Sequence, residues 1–68
     1  MGRYRITIRG RLTERFATAF DGMAIEAGKR GQTVLVGDIA DQGQLYGLID
    51  RLRDFGLELI RLDREDEE

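Results

Sequence analysis

Residues 41–62, DQGQLYGLIDRLRDFGLELIRL, decide the fold, because they read as a capped helix running directly into a strand. Asp41 stands at an N-cap position with Gln44 three residues on, the spacing of a capping box. In such a box each side chain satisfies a backbone N–H at the helix start. Leu45, Leu48, Ile49, Leu52 and Phe55 recur at the intervals that put side chains on one helical face. Gly56 supplies the left-handed stop. LELIRL at 57–62 then reads as a strand.

Outward from this unit, Gln32 to Ile39 forms another strand, and Gly28-Lys29-Arg30-Gly31 before it is a hairpin turn whose glycines allow positive φ. The partner strand is MAIEA at 23–27, with Met23 and Ile25 on one side. At the start, residues 3–9 (RYRITIR) alternate Tyr4, Ile6 and Ile8 with Arg3, Arg5, Thr7 and Arg9, a strand with one buried face. Thr13 is positioned to cap a two-turn helix over 14–20, with Leu12, Phe16 and Phe20 as its stripe and Asp21-Gly22 as its end. The order β-α-β-β-α-β predicts an α+β protein: a ferredoxin-like two-layer sandwich, with a four-stranded antiparallel sheet in strand order 4-1-3-2 and helices on one face.

The chain has 68 residues, enough for a single domain, placed at 1–62. Residues 63–68 (DREDEE) are expected to form a disordered acidic tail. The whole chain carries −2 and this tail −4, so the body carries +2, concentrated at Arg3, Arg5, Arg9, Arg11 and Arg15. The last strand is expected beside the first, which sets Glu58 near Arg9 and the acidic residues near Arg3 and Arg5.

A domain this small has a thin core. It has neither Cys nor His, so disulfides and the usual zinc ligands are excluded, which leaves a well-idealised core, a partner subunit, or both as reinforcement. Without Cys, His or Ser no thiolate or Ser–His pair can be built, and no catalytic, cofactor-binding or metal-ligating residue is assigned. The longest aliphatic run is Val34-Leu35-Val36, far short of a membrane span, and the start has no apolar segment of a signal peptide. A cytoplasmic location is expected.

The faces of the strands suggest where a partner binds. Alternation gives apolar residues on both sides of the third and fourth strands, and the side without helices is expected to carry Leu35, Ile60 and Leu62. On the long helix, Gly43 and Gly47 lie on the outward face with Tyr46 at its flank, a second candidate contact. An anion could be held at Arg9, Arg11 and Thr13, where the first strand turns into the first helix. Nucleic acid is not expected as a partner, because the basic stripe of the first strand offers no aromatic platforms for bases.

RITIRGRLTERFATAFDGM and DQGQLYGLIDRLRDFGLELI resemble short uncharacterised actinobacterial proteins. The order of elements is also similar to ACT domains, regulatory modules that pair through sheets or helices and bind small effectors between subunits. That similarity implies an effector near Gly10, Arg11, Leu12 and Thr13, although the Asp-Arg-Pro-Gly type of loop common there is missing. The expected function is a non-enzymatic module that self-associates as a homo-oligomer through its sheet face or long helix. Two alternatives are an ACT-like ligand-binding regulatory domain and an adaptor subunit for a larger protein.

Overall fold

A computed structural model describes residues 2–12, 18–20 and 22–65. Four strands form one sheet: β1 (Gly2–Arg9), β2 (Ala24–Ala27), β3 (Gln32–Ile39) and β4 (Glu58–Arg64). Their order across the sheet is β2-β3-β1-β4, which is the expected order read from the other edge, and every neighbouring pair is antiparallel. Among the described residues one α-helix, α1 (Gln42–Asp54), packs on one side. The protein is thus α+β with an open four-stranded antiparallel sheet. Of the helix expected over 14–20, residues 14–17 lie outside the described residues, as does its cap Thr13. Its last three, Thr18–Phe20, form a single 3-10 turn.

β1 is central because its alternation lets it pair on both edges while burying one face. Tyr4, Ile6 and Ile8 are buried on the helix side, and Arg3, Arg5, Thr7 and Arg9 face the other way. The core joins these three to Leu35 and Ile39 of β3, Phe20 of the 3-10 turn, and Leu45, Leu48 and Leu52 of α1. Phe55 closes one end, its ring edge-on to Phe20 at 6.0 Å between centroids. No buried side-chain nitrogen or oxygen among the described residues lacks a partner. Thr33, the one buried polar side chain among the described residues, donates its hydroxyl to the Gly10 carbonyl at 2.7 Å.

Both ends of α1 are capped as the sequence requires. Asp41 accepts the Gln44 N–H at 2.8 Å, and the Gln44 side chain reaches back to the N–H of Ala40 at 2.7 Å, one residue before the position expected for a capping box. At the other end Leu57 N–H donates to Leu52 O and Gly56 N–H to Arg53 O, with Gly56 at φ +73°. That pair of bonds is a Schellman motif, and it aims the chain back along the sheet as β4. The hairpin between β2 and β3 turns through Arg30 and Gly31, both at positive φ, closed by Gln32 N–H on Lys29 O.

Two expectations about the last segment are corrected. β4 ends at Arg64 rather than 62, and Glu65 N–H still donates to Arg3 O at 2.7 Å. The tail expected to be disordered from 63 is therefore paired through 65, since β1 starts early enough, at Gly2, to offer Arg3 and Tyr4 as partners. Residues 66–68 lie outside the described residues. β4 also carries a bulge: Thr7 pairs with Arg61 and Ile8 with Leu59, leaving Ile60 as the extra residue.

Candidate functional site

The bulge determines which way β4 presents its side chains. Residues directly opposite in a ladder share a face. Leu59 lies opposite Ile8 and Leu62 opposite Ile6, so both point to the helix side. Arg61 lies opposite Thr7 and Asp63 opposite Arg5, on the open side, and Ile60 lines the open-side concavity with them. The extra residue thus lets two leucines three positions apart face the same way.

This register relocates two of the three residues expected on the open face. Leu35 pairs with Ile6 and is fully buried in the core beneath α1. It is Val34 and Val36 that face outward, opposite Thr7 and Arg5. Alternation alone separates 34 and 36 from 35 and 39, and only the pairing with β1 says which set is inside. Leu62 belongs to the helix side, where it stays 38% exposed at the sheet edge. Ile60 alone of the three lies on the open face, 39% exposed.

The open face is therefore a short apolar strip inside a frame of charge. Val34 and Val36 are buried although α1 packs on the opposite side of the sheet. Around them Arg5 reaches Glu26 and Glu65, each at 3.5 Å, spanning the sheet from β2 to the end of β4. Arg9 pairs with Glu58 at 2.9 Å, Arg61 with Asp63 at 2.8 Å, and Arg3 with Asp38 and Glu65 at 3.8 Å each. These pairs are solvent-exposed, so each contributes at most about 1 kcal/mol. They account for the arginines of β1 without a polyanion. A concavity of about 790 Å³ runs over this face between Lys29 and Arg61.

Like the other edge strand, β2, β4 is exposed along almost its whole length. It pairs with β1 through six positions, yet none of its residues is buried. Leu59, Ile60 and Leu62 are each 38–39% exposed, half of the six large apolar side chains left in the open among the described residues. Leu59 was not singled out from the sequence. The adjacent apolar pair Leu59-Ile60 in an otherwise alternating strand is the mark a bulge leaves, and it would have pointed there.

The other expected sites lie apart. Gly43, Tyr46 and Gly47 are on the exposed side of α1, and a Cβ at Gly47 would meet nothing within 4 Å. Arg9 is engaged by Glu58, while Arg11 lines a smaller concavity of about 340 Å³ with Leu12, Gly28, Gly31 and Thr33. Among the described residues no group of three or more His, Cys, Asp or Glu could hold a metal ion, and no helix is long and apolar enough to cross a membrane.

Residues 3–63, from the second residue of β1 almost to the end of β4, match the family model described as Domain of unknown function (DUF8691). The chain belongs to the DUF8691 family. No curated protein and no solved structure matches it. The DUF8691 match takes in the whole sheet up to Asp63 together with α1, so the exposed strand β4 lies inside the family's domain.

Proposed function

We propose that this chain is a non-enzymatic assembly module, a ferredoxin-like unit that pairs with a second copy of itself. The observation that carries this reading is β4, an edge strand with no buried residue and three half-exposed large apolar side chains. Edge strands offer unpaired backbone groups to another chain, and proteins usually blunt them with charge, shortness or cover. Here the strand is seven residues long, and although Glu58, Arg61, Asp63 and Arg64 charge it and a bulge interrupts it, it still carries exposed apolar side chains on both sides. A sheet in the order β2-β3-β1-β4 supports the ferredoxin-like part of the reading. The expected contact through Leu35 is withdrawn, and the contact through the open face is reduced to Ile60. Light scattering coupled to size exclusion over a dilution series tests the proposal: a dimer mass that falls toward the monomer on dilution is expected, and a monomer at every concentration would end it.

One observation favours a second reading, a small anionic effector. Arg11 borders a concavity beside the glycines of the β2–β3 hairpin, near the position the ACT-like resemblance implies. Thermal-shift measurements with carboxylates and nucleotides test it, since a ligand of the native state raises its melting temperature. No shift at millimolar ligand would remove this reading and leave the first untouched.

A further inference from the structure

We infer that two copies pair antiparallel along β4, edge to edge, about a two-fold axis through Leu62; the inference specifies the contact of the assembly module proposed above and rests on that reading.

In an antiparallel ladder the residues of a strand turn their N–H and C=O alternately toward one neighbour and toward the other side. Glu65 N–H donates to Arg3 O, which makes Arg3 and Glu65 a hydrogen-bonded pair. By the β1–β4 register Arg5–Asp63 and Thr7–Arg61 are then hydrogen-bonded as well, and Tyr4–Arg64 and Ile6–Leu62 are not. The backbone groups of Leu62 and Arg64 are therefore turned away from β1, along the outer edge. Toward the start of the strand the bulge at Ile60 breaks this alternation.

A second β4 related by a two-fold axis can meet these groups in three registers. An axis through Arg64 sets Arg64 against Arg64 and Asp63 against Glu65, like charges at each position, and is disfavoured, which leaves two to compare. In the first, the axis passes through Leu62, and the two Leu62 residues exchange both backbone hydrogen bonds. Arg61 of each copy then stands opposite Asp63 of the other, at the positions where facing side chains come closest. The half-exposed Leu62 side chains meet each other on the helix side. In the second, the axis passes through Asp63. That register sets Arg61 opposite Glu65, but it also brings the two Asp63 carboxylates together at the closest spacing and places Leu62 against Arg64. Like charges directly opposite are destabilising, and the leucine loses its apolar neighbour. The first register satisfies charge and apolar contact together.

The same geometry closes the assembly. A two-fold contact uses the same strand in both copies, which leaves β2 as the outer edge at each end. β2 is four residues long and carries Glu26, which Arg5 already engages, so it does not repeat the β4 pattern. The predicted product is an eight-stranded sheet across two copies and not a filament.

The charge pattern gives the test. In the full-length chain, Arg61→Asp faces the introduced aspartate with the Asp63 of the other copy, and Asp63→Arg faces the introduced arginine with Arg61. Each variant alone is expected to dimerise at least tenfold more weakly by sedimentation velocity. An equimolar mixture of the two places opposite charges at both positions and is expected to recover the dimer mass, which also shows that both variants fold. If both variants dimerise like the parent, the register is wrong while the assembly reading stands. If the parent is a monomer throughout, both fall. A second measurement does not depend on charge: Leu62→Cys supplies the only thiol of the chain. Its oxidation is expected to give a disulfide-linked dimer, and Tyr46→Cys is not. The reverse result would move the contact to α1 and overturn the inference.

Discussion

At the scale of single residues, two backbone positions hold the fold by opposite means. Gly37 sits on the helix side of β3 opposite Tyr4, where the chain entering β2 crosses it. A Cβ there would lie 2.6 Å from Met23 Sδ and 2.9 Å from the Gly22 carbonyl oxygen. The sulfur can move, but the carbonyl belongs to backbone. Gly37→Ala is therefore expected to lower stability by about 1–3 kcal/mol in urea denaturation, the usual cost of overpacking. Arg30 is the reverse case, a side chain at φ 54° where the hairpin asks for a left-handed residue. Arg30→Gly removes the clash of Cβ with the following carbonyl and is expected to raise stability by about 0.5–1 kcal/mol, less whatever the more flexible unfolded chain takes back. The same denaturation series reads both.

At the scale of elements, α1 was the most legible part of the chain and β4 the least. The helix announces itself through Asp41, Gln44, Gly56 and one apolar stripe, and each of these is a local signal that needs no knowledge of neighbours. Asp41→Ala should cost about 1 kcal/mol, the usual worth of an N-cap side chain. Gly47 lies in open space on the outer side, so Gly47→Ala should stabilise the helix by about 1 kcal/mol and leave the assembly mass unchanged. A drop in association would instead make that face the interface. The strands show alternation just as clearly, but alternation is blind to which of two faces is covered. For β3 that choice rests on Leu35 lying opposite Ile6, a long-range pairing absent from any local window. For β4 the single extra residue at Ile60 shifts the frame, so a regular reading sends Leu62 to the wrong side. The α+β class and the order of the strands were therefore readable from local signals, while the candidate site, which depends on register, was not.

At the scale of the whole molecule, what matters is how the two sheet surfaces and the two edges share the apolar groups. The helix side holds the core, and the open side is a frame of ion pairs around two buried valines. Ile60→Asp separates the two ways of using β4. A face-to-face dimer would lose its one exposed large apolar contact and dissociate. Edge-to-edge pairing about Leu62 leaves position 60 at the bulge on the open side, away from the Leu62 contact on the helix side, so the mass by light scattering is expected to persist. The bulge also bears on how the chain can change in length. Remove one residue from β1 or β3 and every side chain beyond the cut trades inside for outside. Remove Ile60 and the remainder, Glu58-Leu59-Arg61-Leu62-Asp63, is already a regular alternation with each residue on the side it now occupies. β4 thus carries one residue of slack, and of the long strands it alone can shorten without turning the protein inside out.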